Sequence, residues 1–312
     1  MENNEKIKVI IDTDPGVDDA TAVLLAMIDK RLDIKLFTTA SGNRPIEIGT
    51  RNMLHLVEKF GFVYPVSKGA DKPLYRRRKD AAFIHGETGL GGYTPKKTNK
   101  LKCIPGKAED NMYKVLKQYP GEITIVVLGA QTNIALLLQK YPDAKNLIKQ
   151  IVYMGGSPYG YKKTKPHISF NISSDPEAFD MVLKSGIPLV MAPSELGRQQ
   201  IFLSEKQVQE VESMNDFGKF LSTMYQIYWE PGYKDRRIAM NDSCAILYLV
   251  EPKLFKPMMG DITVDLDDAP GKTFINFHKK GQVKVLMKGN RKKAYTYLKK
   301  AIQSMSNYKE EE

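Results

Sequence analysis

Along the first two thirds of the chain, short apolar runs alternate with segments of helical periodicity, and this alternation constrains the fold most. Strand-length apolar runs occur at Lys6–Ile11, Asp33–Ser41, Ile123–Gly129, Gln150–Gly155 and Pro188–Ala192. Helical patterns occupy Ala20–Ile28, Ile46–Phe60, Ala108–Tyr119, Thr132–Lys140 and Asp175–Ser185. The last of these opens Ser174-Asp-Pro-Glu177, polar capping residues with proline in the first turn, which is a helix-start signal. Strand and helix in alternation predict an open, mostly parallel, doubly wound α/β sheet. The final third is helical through Tyr248, then gives short strand-like runs at Asp261–Leu266, Lys272–His278 and Gln282–Met287 before a closing helix. No fixed-period repeat interrupts this pattern, so residues 1–312 are expected to form one domain. Lys68–Gly106, rich in glycine, proline and basic residues, reads as an active-site loop or a small excursion from that domain.

Bulk properties exclude several classes. No stretch approaches the roughly 20 apolar residues of a membrane span, and Met1-Glu-Asn-Asn-Glu lacks the character of a signal peptide. Cys103 and Cys244 lie far apart, without metal-ligand spacing, which fits a reducing cytoplasm. The net charge of +11 includes clusters at Arg76–Lys79 and at Lys162, Lys163 and Lys165. There is no basic-aromatic interleaving or groove-reading motif, so no nucleic-acid partner is expected. The sign of the field favours anionic small molecules instead.

The chemistry concentrates between the first strand and the first helix. Asp12, Asp14, Asp18 and Asp19 surround a Pro15-Gly16 turn. Four carboxylates in eight residues repel one another unless a cation, a helix N-terminus or a hydroxyl network offsets the repulsion. A solvated acidic turn with an aspartate cap accounts for one or two of them. Four are better explained by a metal site, and hard oxygen donors suit Ca²⁺ or Mg²⁺ rather than zinc. In open parallel sheets, ligands bind beyond the carboxyl ends of the strands. Asp14, Ser41-Gly-Asn43, Leu128-Gly-Ala130 and Met154-Gly-Gly156 all fall at such ends.

The segment Asp12-Thr-Asp-Pro-Gly-Val-Asp-Asp-Ala20 resembles the N-terminal signature of the inosine-uridine nucleoside hydrolases, Ca²⁺-dependent N-ribohydrolases with a Rossmann-like sheet. Further matches follow in order along nearly the whole chain. They are Ser41-Gly-Asn43, Ile84-His-Gly-Glu-Thr-Gly89, Thr132-Asn-Ile-Ala135, Met154-Gly-Gly156, Phe170-Asn171, Asp175-Pro-Glu-Ala178 and Asn241-Asp242. The resemblance implies that Asp14, Asp19, Asp242 and the carbonyl of Leu128 hold Ca²⁺, and that Asp14 is the general base toward the attacking water. Asp18 and Asn43 would grip the ribose 2′-hydroxyl, and Asn171 and Asp242 the 3′-hydroxyl. Met154 would contact the substrate, with Asp12 supporting the site from behind. The implied partner is a small-molecule riboside, and the implied assembly is a homodimer or homotetramer.

These residue types suit the reaction. Breaking an N-glycosidic bond develops oxocarbenium character at the sugar, and carboxylates beneath the ring place negative potential there. Three positions depart from the family pattern. Asn241 stands where members active on inosine or uridine commonly have histidine and purine-specific ones tryptophan. An amide hydrogen-bonds a leaving base but does not protonate it. His85 is then the remaining acid candidate, while His55, His167 and His278 read as surface or packing residues. Ser169 replaces a glutamate, and counting back from Phe170 places Lys163 where the family often has asparagine. Both family residues would contact the ribose 5′-hydroxyl, so this end turns basic and admits an anionic 5′ substituent, unless the lysines simply face solvent. Tyr75–Lys79 and the aromatics Tyr225, Tyr228 and Trp229 are candidates to close over the base, or else core residues. Two other classes compete. A haloacid-dehalogenase-type phosphatase also begins strand-Asp-x-Asp but lacks the Pro-Gly-Val-Asp-Asp continuation. A catalytically weak riboside-binding homologue would keep the carboxylates and release no ribose.

Overall fold

Each apolar run becomes a strand because helices cover both of its faces. The computed structural model describes residues 5–95, 100–158, 167–229 and 236–307. Its strands are β1 (Ile7–Thr13), β2 (Leu32–Thr39), β3 (Val66–Lys68), β4 (Ile123–Val127), β5 (Ile148–Met154) and β6 (Leu189–Ala192), followed by β7 (Phe202–Ser204), β8 (Arg237–Ala239), β9 (Phe255–Val264), β10 (Thr273–Phe277) and β11 (Val283–Gly289). One sheet has the order β10-β9-β11-β6-β5-β4-β1-β2-β3. β1 to β6 and β11 are joined by parallel pairings. β9 runs antiparallel to both β11 and β10. β7 and β8 form a separate antiparallel pair. The doubly wound α/β architecture expected from the sequence is present.

The period-2 geometry of the strands divides the core into two layers. Val9, Ile11, Val126, Val152 and Val190 face one layer, with helices Val17–Ile28, Ile46–Lys59, Asp216–Tyr225, Asn241–Val250 and Arg291–Ser304. Ile10, Ile125, Val127, Ile151, Tyr153 and Met191 face the other, with helices Ala108–Gln118, Thr132–Lys140 and Pro176–Leu183. Strands buried on both faces read as continuous apolar runs, which is why they were visible in the sequence. Asp175 caps the helix Pro176–Leu183, its side chain accepting the Ala178 N–H at 3.2 Å.

The topology also creates the crevice. From β1 the chain winds outward to β2 and β3, then crosses back to lay β4 on the other side of β1. Strand order therefore reverses between β1 and β4, the switch point at which such sheets open a ligand crevice. Asp12 pairs with Val127 in register, and the Leu128 N–H donates to the Asp12 carbonyl at 2.8 Å.

Some boundaries differ from the expectation. The first helix starts at Val17 rather than Ala20, which places Asp18 and Asp19 in its opening turn. β9 begins at Phe255, so the Asp261–Leu266 run is only its second half. Pro257 hides the first half; it lies opposite Leu286, where the β11 register is irregular and the missing N–H is tolerated. The three-residue strands β3, β7 and β8 are too short for a periodic signal. Among the described residues, no helix is long and apolar enough to cross a membrane.

Ile125 has no exposed surface and lies in β4 between β1 and β5. Ile125→Ala is expected to lower unfolding free energy by about 2–5 kcal/mol, the usual cost of such a cavity. Urea denaturation followed by fluorescence checks this, and a loss below about 1 kcal/mol would contradict a central role for β4.

Candidate active site

Beyond β1 the chain turns at Pro15-Gly16 and enters the helix Val17–Ile28. Asp18 and Asp19 thus sit at a helix N-terminus, where the unpaired N–H groups favour negative charge. Asp19 turns back toward the strand. Its Oδ1 accepts the Thr13 hydroxyl at 2.7 Å and the Asp14 N–H at 3.3 Å; its Oδ2 accepts the Gly16 N–H at 3.2 Å and the Asn43 amide at 2.8 Å. Asp18 faces the other way, accepting the Asn241 amide at 3.3 Å. The helix Asn241–Val250 shares a core with Val17–Ile28 and brings Asp242 to the same place. Oxygens of Asp18, Asp19 and Asp242 lie within 4.8 Å of one another.

Asp14 stands beside this group. Its Oδ2 accepts the Asn43 N–H at 2.7 Å, while its buried Oδ1 has no hydrogen-bond partner. Two glycines leave room for the carboxylate: a Cβ at Gly42 would lie 2.0 Å from Oδ2, and one at Gly129 would lie 2.5 Å from Oδ1. Behind them, Asp12 accepts the Thr38 hydroxyl at 2.5 Å and the Asn133 amide at 2.7 Å. The Asn171 amide donates to the carbonyl oxygen of Leu128, and to that of Met154 at 3.3 Å. Asn171, Leu128 and Met154 therefore form one contact group at the ends of β4 and β5.

Burial opposes charge here. It pushes Asp12 up to about 7. Burial, reinforced by Asp19, holds Asp14 well above the usual carboxylate range, and burial with Asp18 does the same to Asp242. Asp18 and Asp19 are also raised, chiefly by burial. An all-oxygen donor set, a partnerless buried carboxylate oxygen and strong mutual repulsion fit a hard divalent cation, which would favour the charged forms. Burial lowers His85 to about 4, so its ring is neutral at pH 7. Its Nδ1 accepts the Val17 N–H at 3.1 Å, which leaves the proton on Nε2.

Asp18 and Asp242 line a cavity of about 590 Å³; Asp14, Asp19 and Leu128 lie outside its lining. Its lining contains the expected Asp18, Asn43, His85, Met154, Ser169, Asn171, Asn241 and Asp242. Lys163 lies outside the described residues, with Lys162 and Lys165. Other expectations are corrected. His167, read as a packing or surface residue, lines the cavity, and burial lowers it to about 4. Tyr225 is fully buried, its hydroxyl 2.8 Å from that of Thr21, so it is core and does not close over a base. Tyr228 and Trp229 both pack against the same core, and Tyr228 also lines the cavity. Tyr75 borders a different depression, between the helices Thr132–Lys140 and Pro176–Leu183.

Sequence reasoning also passed over Ser194, Arg198, Gln199 and Arg237 in the lining. Ser194, Arg198 and Gln199 follow β6, so the rule that located the other strand-end residues applied to them too. Glu195, next to them, is buried and accepts a hydrogen bond from the Ser157 hydroxyl.

Comparison with known proteins agrees with this geometry. The family model described as "Inosine-uridine preferring nucleoside hydrolase" matches residues 9–296. The non-specific ribonucleoside hydrolase RihC of Escherichia coli O127:H6 is 37% identical over 280 residues, covering 86% of this chain and 91% of its own. Among solved structures, the plant nucleoside hydrolase PpNRh1 superimposes with a TM-score of 0.88 at 30% identity, over 95% of this chain and 98% of its own. A purine-preferring ribonucleoside hydrolase from Gardnerella vaginalis gives 0.88 at 26% identity, over 97% and 100%. The class is that of N-glycosyl hydrolases acting on ribonucleosides. The chain belongs to the inosine-uridine preferring nucleoside hydrolase family.

Two outcomes follow from the acidic floor. Because the folded state binds these protons more tightly than the unfolded chain does, unfolding free energy without metal falls as pH rises above the ordinary carboxylate range. A divalent cation binds the charged forms, so its effect should grow in the same direction. Differential scanning fluorimetry should show chelated protein melting lower at pH 8 than at pH 5, with a larger Ca²⁺-induced rise at pH 8. Equal rises at both values would exclude the cluster as the cation site. Gly42→Ala pushes a methyl group into Asp14 and should weaken Ca²⁺ binding about 10–100-fold by calorimetry, as when ligand-orienting groups are disturbed. Unchanged affinity would detach Asp14 from the cation.

Proposed function

We propose that the chain hydrolyses the N-glycosidic bond of ribonucleosides to ribose and free base, with Ca²⁺ as its cation and Asp14 as general base. The observation that carries this reading is the clustering of Asp18, Asp19 and Asp242 oxygens, electrostatically coupled to the partnerless buried Asp14 oxygen, with Asp18 and Asp242 lining a nucleoside-sized cavity. Asp19 and Asp242 would hold the cation with Asp14 and the Leu128 carbonyl. When bound, Ca²⁺ lowers the pKa of a neighbouring water. Asp14, raised by its surroundings, is then suited to accept the proton of the attacking water.

The sugar is held by the same carboxylates. Asp18 and Asn43 accept and donate at the 2′-hydroxyl, and Asp242 and Asn171 at the 3′-hydroxyl. Asn171 is within reach once its amide exchanges the Leu128 carbonyl for the sugar. Negative potential under the ring stabilises the positive charge that grows at C1′. On the base side, Phe83, Ile84, Phe170 and Tyr228 offer a largely apolar wall. His85, through Nε2–H, and Asn241, through its amide, donate hydrogen bonds to the departing base. Such a wall reads base edges sparsely, and acceptance of both purines and pyrimidines is expected. The short helix Ala82–His85 carries Phe83, Ile84 and His85 to this side.

Reducing-sugar release from inosine, uridine, cytidine and adenosine, with Ca²⁺ and with chelator, tests the proposal. Release should require Ca²⁺. Asp14→Asn should lower kcat by about 10²–10⁴-fold, the range for loss of a general base, with a much smaller change in KM. Undiminished release in chelator, or wild-type kcat in Asp14→Asn, would overturn it.

A further inference from the structure

The cavity is electrically polarised in a way that ribonucleoside hydrolysis alone does not require. Its only acids among the described lining residues are Asp18 and Asp242, both at the floor. Two guanidinium groups, Arg198 and Arg237, line it as well, and both residues are exposed. Arg198 projects from the turn Leu196–Gln200 that follows β6. It makes no hydrogen bond or ion pair with the described residues. Buried Glu195 accepts the Ser157 hydroxyl and interacts with Arg198 only through its charge, without an ion pair. Arg237 comes from β8, and its guanidinium lies 4.7 Å from the Phe202 ring centroid. His167, within the electrostatic reach of Arg198, is held neutral on the same wall, and neighbouring Ser169 is uncharged. Among the described lining residues, no carboxylate stands beside these arginines apart from Asp18 and Asp242.

A substrate that fills this cavity has to present hydroxyls to the carboxylate floor and negative charge to the arginines. In inosine, uridine, cytidine and adenosine the base is neutral at pH 7, and the 2′- and 3′-hydroxyls are committed to the floor. The 5′ carbon is the remaining position for a charged group. A guanidinium donates parallel N–H groups in a fork that matches phosphate oxygens, and charge-assisted bonds of that kind are the strong ones. The net charge of +11 adds a long-range field of the right sign.

We propose that the preferred substrates are ribonucleosides phosphorylated at the 5′ carbon, anchored by Arg198 with Arg237 and cleaved to ribose 5-phosphate and free base. Water is the only co-reactant: its oxygen bonds to C1′, the C1′–N bond breaks, and the proton goes to the leaving base. The phosphate ester is untouched. The inference rests on the hydrolase reading above and narrows its substrate class.

The test compares kcat/KM of the Ca²⁺-loaded full chain for uridine against uridine 5′-monophosphate, and inosine against inosine 5′-monophosphate, by base release. The monophosphates should be favoured by about tenfold or more, the scale of one charge-assisted contact. The ratio of monophosphate to nucleoside should collapse toward one in R198Q, fall in the same direction in R237Q, and shrink as salt is raised. A thermal melt of each variant confirms folding. Hydrolysis of nucleosides with monophosphates equal or refused overturns this inference and leaves the hydrolase reading standing. A preference that survives R198Q and R237Q together overturns it too. Silence on both substrate classes overturns the hydrolase reading, and this inference with it.

Discussion

The repulsion among Asp12, Asp14, Asp18, Asp19 and Asp242 is what the surrounding structure has to hold in check. Four of these residues are buried, and the fifth, Asp18, is mostly so. Removing even one unpaired carboxylate from water is unfavourable by several kcal/mol. The chain offsets this with directed donors. Thr13, Thr38, Asn43 and Asn133 aim hydroxyls and amides at the carboxylates, and the N–H groups of Asp14, Gly16 and Asn43 complete the set. The first turn of the helix Val17–Ile28 adds its partial positive charge. Residual repulsion is left in the raised proton affinities, and a divalent cation held by the cluster would offset it.

That arrangement depends on the sheet. β1 supplies Asp12 and leads to Asp14, and β2 places Thr38 opposite Asp12. The crossover that sets β4 on the other side of β1 brings Gly129 against the Asp14 carboxylate. Asp242 arrives from far along the chain because the helix Asn241–Val250 packs in the core that Val17–Ile28 also fills. The first helix is buried almost all round, and its polar groups survive only at its N-terminus, where they have work to do. Core packing and site geometry are therefore one constraint: a shift of either helix along the sheet would separate Asp242 from Asp18 and Asp19.

How much of this was legible in the sequence follows from how local each signal is. The doubly wound sheet was readable because strands buried on both faces leave unbroken apolar runs, and Asp175-Pro176 marks its helix by local capping chemistry. The Asp12–Ala20 cluster was readable because its four charges lie within eight consecutive residues. Asp242 was assigned only through the family resemblance, since nothing near it in sequence announces a site. His167 was read as surface or packing, and Arg198 and Arg237 were passed over, because three separate segments, before the helix Phe170–Ser174, after β6 and within β8, converge only in the folded chain. Tyr225 was open to two readings for the opposite reason: an aromatic at helical spacing looks the same from sequence whether it lines a cavity or fills a core. β9 was half hidden because Pro257 breaks the pattern that a strand is recognised by.

The separation of charge within the cavity has a consequence for how a substrate enters. A floor of carboxylates repels any anion that approaches it, so a negatively charged substrate is excluded unless cations meet it first. Arg198 and Arg237 occupy exposed positions, while Asp18 and Asp242 lie deeper and are shielded by burial. An incoming molecule meets the positive field before the negative one. On the substrate class proposed above, that order would favour molecules with an anionic end and a hydroxyl-rich end, oriented so that the hydroxyls reach Asp18 and Asp242. The same low dielectric that makes the carboxylates costly to bury strengthens their hold on those hydroxyls once water is excluded. Cation-facing entry and acid-lined floor are thus two parts of one electrostatic gradient, set by where β1, β6 and β8 deliver their side chains.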